Sequence, residues 1–193
     1  GEFWRSITYI GAATTSDVIR DCGHAREVGY GLGMFHSLIS DLPTQQLADT
    51  LENFHVMPAY LQRFDQVRKS SSKQDQRTDA ACAFINSRRN GVDVLEAALS
   101  RGELKHRPIH GDPKINNVMI DEVSGQAVGL IDLDTVKPGL IHYDIGDCLR
   151  SCCNPAGEET LALETVRFDI DLCQAILSGY LSVAGGFLSY WDL

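Results

Sequence analysis

Four side chains whose types and spacing could do chemistry stand close together in the run HGDPKINN: His110, Asp112 two residues on, Lys114 two beyond that, and Asn117 five after the acid. A further pair, Asp132 and Asp134, closes the run GLIDLD. Between the two runs, NVMID and AVGLID flank the turn-prone EVSGQ, with Ser124 and Gly125 at the reversal. That pattern predicts a β-hairpin, which would return Asp132 to the level of Asp112. Such a set suits phosphoryl transfer, a reaction that asks the protein mainly for positioning and charge neutralisation. Asp112 would accept the hydrogen bond of an acceptor hydroxyl and take its proton late, as a catalytic base. Asn117 offers a neutral oxygen and Asp132 a carboxylate to Mg²⁺, which prefers hard oxygen ligands. Lys114 would reach the transferring phosphoryl group. Asp134, two residues past Asp132 on the expected strand, has two readings: a second metal or water contact, or a solvated turn residue. His110 reads as a buttress of the loop rather than a proton shuttle. Asp144 and Asp147 fall at the start of a predicted helix and read as capping residues. H-G-D alone is a weak signal; H-G-D-x-K-x-x-N followed by a hairpin and I-D-x-D is a strong one.

The elements that must hold these residues are mostly helical. Residues 3–10 (FWRSITYI) alternate roughly and are rich in aromatic and β-branched types, which predicts a strand. After a loop offering Ser16 or Asp17 as N-cap, Val18, Cys22, Ala25, Val28, Leu32, Phe35 and Ile39 recur at three- and four-residue spacing. They predict a helix over about 17–40, ended by Pro43. His24 and His36 on it carry no assigned role. A short helix or two broken at Pro58 follows, then the polar stretch Val67–Lys73 as an exposed loop. Helices at about 78–88 and 92–101 are separated by Asn90-Gly91. After the hairpin, a loop at Pro138-Gly139 leads to a short helix from about Asp144 to near Pro155. Residues 158–191 are helical by periodicity, weakened at Gly185-Gly186. The sum is an α+β chain, mostly α, with a small catalytic β-hairpin at its functional edge.

Composition excludes some alternatives. The chain has 193 residues, 44% hydrophobic and 22% charged, as in an ordinary soluble globular protein. A formal charge of -9 argues against nucleic-acid binding, which needs basic side chains to displace phosphate counterions. No apolar run approaches the roughly 18 residues of a membrane span. Six cysteines without a CxxC pair fit neither a disulfide framework nor a zinc site, so reduced, mostly buried thiols and a cytoplasmic location are expected.

HGDPKINN and GLIDLD resemble the catalytic loop and the metal-binding segment of the aminoglycoside phosphotransferase and choline kinase family, relatives of the protein kinases. YDIGDCLR resembles the segment that follows, in which an Asp pins the catalytic loop. With FWRSITYI, AREVGYGLGMFHSLI and ENFHVMP added, the pattern is most similar to N-acetylhexosamine 1-kinases within that family. The resemblance implies the C-terminal lobe of a protein-kinase-like fold. It spans residues 1–193, with 1–10 a linker strand, 17–103 helical, 104–134 the catalytic loop and hairpin, and 144–193 helical. It further implies ATP and Mg²⁺ as cofactors and a small-molecule hydroxyl acceptor, an amino sugar favoured. FWRSITYI falls where the inter-lobe linker of the family lies. The N-lobe is therefore expected to be absent, with weak or undetectable activity for this chain alone and self-association through the exposed docking face. A truncated, non-catalytic kinase-like scaffold is the alternative reading. A metal-dependent hydrolase using Asp112 and Asp132 would want more histidine or carboxylate ligands than the stretch offers.

Overall fold

A computed structural model describes residues 4, 6–71 and 75–192. Helices α1 (Cys22–Leu38) and α6 (Ile170–Ala184) cross at the centre, and Val28, Leu32, Ile176 and Tyr180 form the heart of the core between them. Their backbones come very close at glycines. A Cβ built on Gly29 would lie 1.9 Å from the Ile176 carbonyl oxygen, and one on Gly179 would lie 1.9 Å from that of Arg26. Strands β3 (Val118–Asp121) and β4 (Ala127–Leu130) make the expected hairpin, with a register shift between Met119 and Ile120. Gly125 supplies the left-handed φ of its turn, +72°. Val118 and Ile120 point their side chains into the core, so the hairpin is anchored by the same apolar cluster that fixes α1 and α6.

Two further strand pairings organise the functional edge. β1 (Ala13–Thr14) adds antiparallel to β3, giving the sheet order β1-β3-β4. β2 (Arg107–Ile109) and β5 (Lys137–Gly139) pair antiparallel with Pro108 opposite Pro138. Sequence reading missed this second pair, because three-residue strands centred on proline read as turns.

Other boundaries differ from expectation for physical reasons. The described part of residues 3–10 is not a strand; Trp4, Ile7 and Tyr9 stand exposed, and the edge of β3 is taken by Ala13–Thr14 instead. Residues 3 and 5 lie outside the described residues. α1 begins at Cys22 because Asp21, not Ser16 or Asp17, caps it by accepting from the His24 amide at 2.8 Å. Pro58 does not break α2 (Met57–Ser70) but sits in its first turn, where a missing N–H costs nothing. That helix also absorbs the start of the polar stretch expected as a loop, whose residues 72–73 lie outside the described residues. α3 (Gln76–Asn86) and α4 (Val94–Ser100) follow, α3 capped by Asp75. α5 (Ile141–Cys152) starts earlier than expected. Residues 158–169 are not α-helical. Leu161 is 96% exposed and Leu163 65%, so the expected helix would find little to bury, and α6 starts only after Asp169, which accepts from the amides of Asp171 and Leu172. Of the six free thiols, Cys148, Cys152 and Cys153 are buried, fewer than expected, while Cys22 is exposed. No described helix is long and apolar enough to cross a membrane.

Candidate active site

β2 delivers His110 into the core, where it is fully buried. Its Nε2 lies 3.0 Å from the Ile131 carbonyl, an arrangement only a donating N–H can satisfy; Nδ1 must therefore be the acceptor for the Asp112 amide at 3.3 Å. Both ring nitrogens are spent on backbone, so His110 is a buttress with no free nitrogen to shuttle a proton. Gly111 follows with φ +87°, and a Cβ there would meet the Thr135 carbonyl oxygen at 2.6 Å. The Thr135 hydroxyl donates to the His110 carbonyl at 2.8 Å, tying the loop to the segment after the hairpin.

Asp144 is not a helix cap. Leu140 precedes α5 without a side-chain cap, and the wholly buried Asp144 carboxylate reaches back to the loop. It accepts from the amides of His110 (2.6 Å) and Gly111 (2.9 Å), and its Oδ2 also meets His36 Nε2 at 2.9 Å. His36 Nδ1 in turn lies 3.0 Å from the Tyr180 hydroxyl. Burial, with the Asp144 charge next, pushes the Tyr180 phenol up. The chain Tyr180–His36–Asp144 thus runs from α6 through α1 to α5 and ends on the two amides that shape the loop. Sequence reading assigned His36 no role, although a signal existed: it falls four residues after Leu32 on the buried face of α1.

Asp112, Lys114 and Asn117 meet at one carboxylate. Asn117, at the end of a 3-10 turn (Ile115–Asn117), donates Nδ2 to the Asp112 carbonyl at 2.8 Å and to its Oδ2 at 3.3 Å. Lys114 Nζ lies 3.1 Å from the same Oδ2. The Asp112 carboxylate holds the Lys114 ammonium above the ordinary lysine range, with Glu158 and Asp132 adding to the effect. Asn117 is buried and its Nδ2 is committed, so Oδ1 is the atom left for a cation.

The hairpin exit is tied to this loop by the Ile131 amide, which donates to the Asn117 carbonyl at 2.9 Å. Asp132 then adopts a left-handed conformation (φ 62°, ψ 60°), a strained state for a non-glycine residue. Asp134 lies in the 3-10 turn Leu133–Thr135 that follows. The expected strand face shared by Asp132 and Asp134 is therefore not formed; β4 ends at Leu130, and both acids are exposed on a turn. Among the described residues no three His, Cys, Asp or Glu side chains converge into a metal cage. One amide oxygen and one or two carboxylates make a sparse hard-oxygen set. That fits Mg²⁺, which keeps waters and takes its remaining ligands from phosphates, and it does not fit zinc.

Asp112 lies on the wall of a cleft of about 670 Å³. The same cleft is lined by His55, Glu96, Tyr143, Asp147 and Arg150, with Phe54 and Tyr60 as aromatic walls. His55, at φ 67°, lies 2.7 Å through Nε2 from the Gly111 carbonyl and stacks on Phe54 at 4.0 Å. Its loop is strapped to β5 by buried Lys137, which donates to the Leu51 carbonyl at 2.8 Å and pairs with Asp49 at 2.7 Å. Tyr143 donates to Glu96, and burial followed by that bond pushes its phenol up. Asp147, expected as a cap, is a wall of this cleft; burial raises its carboxyl although Arg150 opposes the shift. None of His55, Glu96 and Tyr143 was found from sequence, since a loop residue and residues of α4 and α5, far apart in the chain, leave no local pattern when tertiary packing brings them together.

The chain matches the phosphotransferase enzyme family (APH) over residues 1–180. It is similar to the structure of an ethanolamine kinase of Plasmodium vivax at 15% identity, covering 90% of this chain and 49% of that one with a TM-score of 0.53. It is also similar to an aminoglycoside-3'-phosphotransferase of type VIII at 19% identity, covering 93% of this chain and 61% of that one with a TM-score of 0.48. The chain thus spans roughly half to three fifths of the length of these structures. At 15% identity the likeness to the ethanolamine kinase structure speaks for the fold, a mostly helical, kinase-like α+β arrangement, while the match over residues 1–180 speaks for descent: the chain belongs to the phosphotransferase enzyme family.

Proposed function

We propose that this chain carries the acceptor and metal side of an ATP-dependent transfer of a phosphoryl group to the hydroxyl of a small molecule. The observation that carries the proposal is the Asp112 carboxylate, held on one oxygen by Lys114 and Asn117 at the edge of an open cleft. Asp112 orients the acceptor hydroxyl. As that oxygen bonds to the γ-phosphorus and the bond to the departing ADP oxygen breaks, Asp112 takes the proton. Lys114, already charged against Asp112, offsets charge on the transferring group. Asn117 Oδ1 and Asp132 would hold Mg²⁺, with Asp134 as a second contact, and the ion would neutralise phosphate oxygens when bound. The strain at Asp132 is consistent with such a duty. Resemblance in the flanking sequence favours an amino sugar, of the N-acetylhexosamine kind, as acceptor.

The test is incorporation of label from γ-labelled ATP into a panel of amino sugars, choline and aminoglycosides, with Mg²⁺ present. Transfer to one of them by the full-length parent protein is expected, reduced about 10²- to 10⁴-fold by Asp112→Asn, the usual worth of a positioned proton acceptor. Transfer that survives Asp112→Asn undiminished would sink the proposal.

A further inference from the structure

Beside the cleft that holds Asp112 lies a second chamber of about 660 Å³, and the two share the wall made by Met57, Tyr60, Gly91 and Val92. The chemistry changes across that wall. The Asp112 side carries Glu96, Asp147 and Arg150, whereas the second chamber is lined by Leu61, Phe84 and Ile85 and has one charged lining residue, Arg88. That guanidinium lies over the Phe84 ring at 3.6 Å and donates to the Phe84 carbonyl (3.3 Å) and the Ser87 hydroxyl (3.0 Å). It is engaged as part of the wall rather than held out for an anion. The apolar walls stand open: Phe84 is 58% exposed, Met57 50% and Tyr60 43%. Concave apolar surface of this kind, adjoining convergent polar groups, is the usual make-up of a small-molecule site.

We infer that the acceptor carries an apolar extension, an alkyl chain or aryl group, that passes from the Asp112 cleft over Met57 and Tyr60 into the chamber lined by Phe84. The inference rests on the reading of the Asp112 cleft as the acceptor site. Continuity selects the occupant: the cleft that holds Asp112 adjoins the second chamber through Met57 and Tyr60, and the wall beyond them is mainly apolar, with Leu61, Phe84 and Ile85 beside Ser87, Asn90 and the engaged Arg88. A compact polar acceptor would leave that wall in water. Methionine at the threshold suits a site that adapts to the shape of such a tail.

Methyl-labelled methionine NMR tests this directly, because the chain has only three methionines, Met34, Met57 and Met119. The probes are methyl and octyl β-D-glucoside, the latter below its micellar concentration. The octyl compound is expected to move the Met57 resonance, to leave Met34 and Met119 in place, and to bind about 30-fold tighter than the methyl one. That gain is well short of full burial of seven methylenes because the chamber is open. Phe84→Ser, at an exposed position that folding tolerates, should erase the gain, and Phe84→Leu should restore most of it. Equal affinity of the two probes, an unmoved Met57, or a gain that survives Phe84→Ser overturns the inference. Failure of the underlying reading looks different: transfer survives Asp112→Asn undiminished while the octyl response of Met57 stays intact. Transfer that ignores the length of the acceptor's tail retires the chamber and keeps the phosphotransferase. Tail-dependent binding without transfer to any acceptor retires the chamber's role in the reaction.

Discussion

At Asp144 the geometry of the loop is decided by one buried carboxylate with three partners. Removing it strands the amides of His110 and Gly111 and the ring of His36 in a site without water access. Breaking a buried charged group's partnerships in this way costs about 3–5 kcal/mol, where a lost surface bond would cost well under 1. Asp144→Ala should therefore lower the free energy of unfolding by that amount, read from urea transitions; a loss under about 1 kcal/mol would mean that the loop keeps its shape by other means. At this scale sequence was informative about types and spacing. Asp112, Lys114 and Asn117 come together within 3.3 Å of one carboxylate or its carbonyl, as short-range spacing in a turn allows. It was uninformative about His55 and Glu96, which reach the cleft only through tertiary packing. The capping rule misjudged Asp144, because a helix-start acid caps locally more often than it reaches 33 residues back, whereas the resemblance of YDIGDCLR to a segment whose Asp pins the catalytic loop anticipated the contact.

Elements here are placed by how near backbones can approach. The α1–α6 crossing is set by Gly29, Gly33 and Gly179, where a methyl group would run into a carbonyl oxygen on the facing helix. Gly179→Ala must push the helices apart along the whole core, and a cost of about 3 kcal/mol or more is expected, at the upper end for overpacking. Gly146 offers the opposite case. It lies exposed in α5 with nothing within 4 Å of a built Cβ, so Gly146→Ala should stabilise by about 0.5–1 kcal/mol through helix propensity alone. Thermal or urea transitions of the two variants moving in the same direction would refute the crossing as described. Periodicity and punctuation made the existence of α1, α3, α4, α6 and the hairpin legible: α1 and α6 each have a buried stripe, Asn90-Gly91 separates α3 from α4, and Ser124-Gly125 marks the hairpin turn. Periodicity failed over residues 158–169, where the helical period persists although Leu161 and Leu163 stand exposed. It also failed for β2 and β5, whose pairing is fixed by the loops they bracket rather than by side-chain alternation.

For the molecule as a whole, acid tolerance is a contest between surface charge and two buried imidazoles. The chain carries a formal charge of -9, and acidification would relieve its self-repulsion. At physiological ionic strength, however, charges separated by more than about 8 Å are largely screened, so that relief is small. His24 and His142 are not screened. Burial is the leading cause that holds each below the ordinary imidazole value of 6.5. At His24 the opposition is also geometric: Nδ1 accepts from the Arg20 amide and Arg20 Nε, both at 3.2 Å, so added protons would face donors. Nε2 of His24 and Nδ1 of His142 are buried without a partner among the described residues. Because the folded values lie below 6.5, the unfolded chain binds protons first; the stability these residues allow is present above pH 6.5 and lost as pH falls through it. Urea midpoints measured in moderate salt should therefore drop between about pH 7.5 and 5.5, and His24→Gln with His142→Gln should flatten that drop. If the double variant loses as much stability on acidification as the parent, surface carboxylates rather than the buried imidazoles govern the acid response.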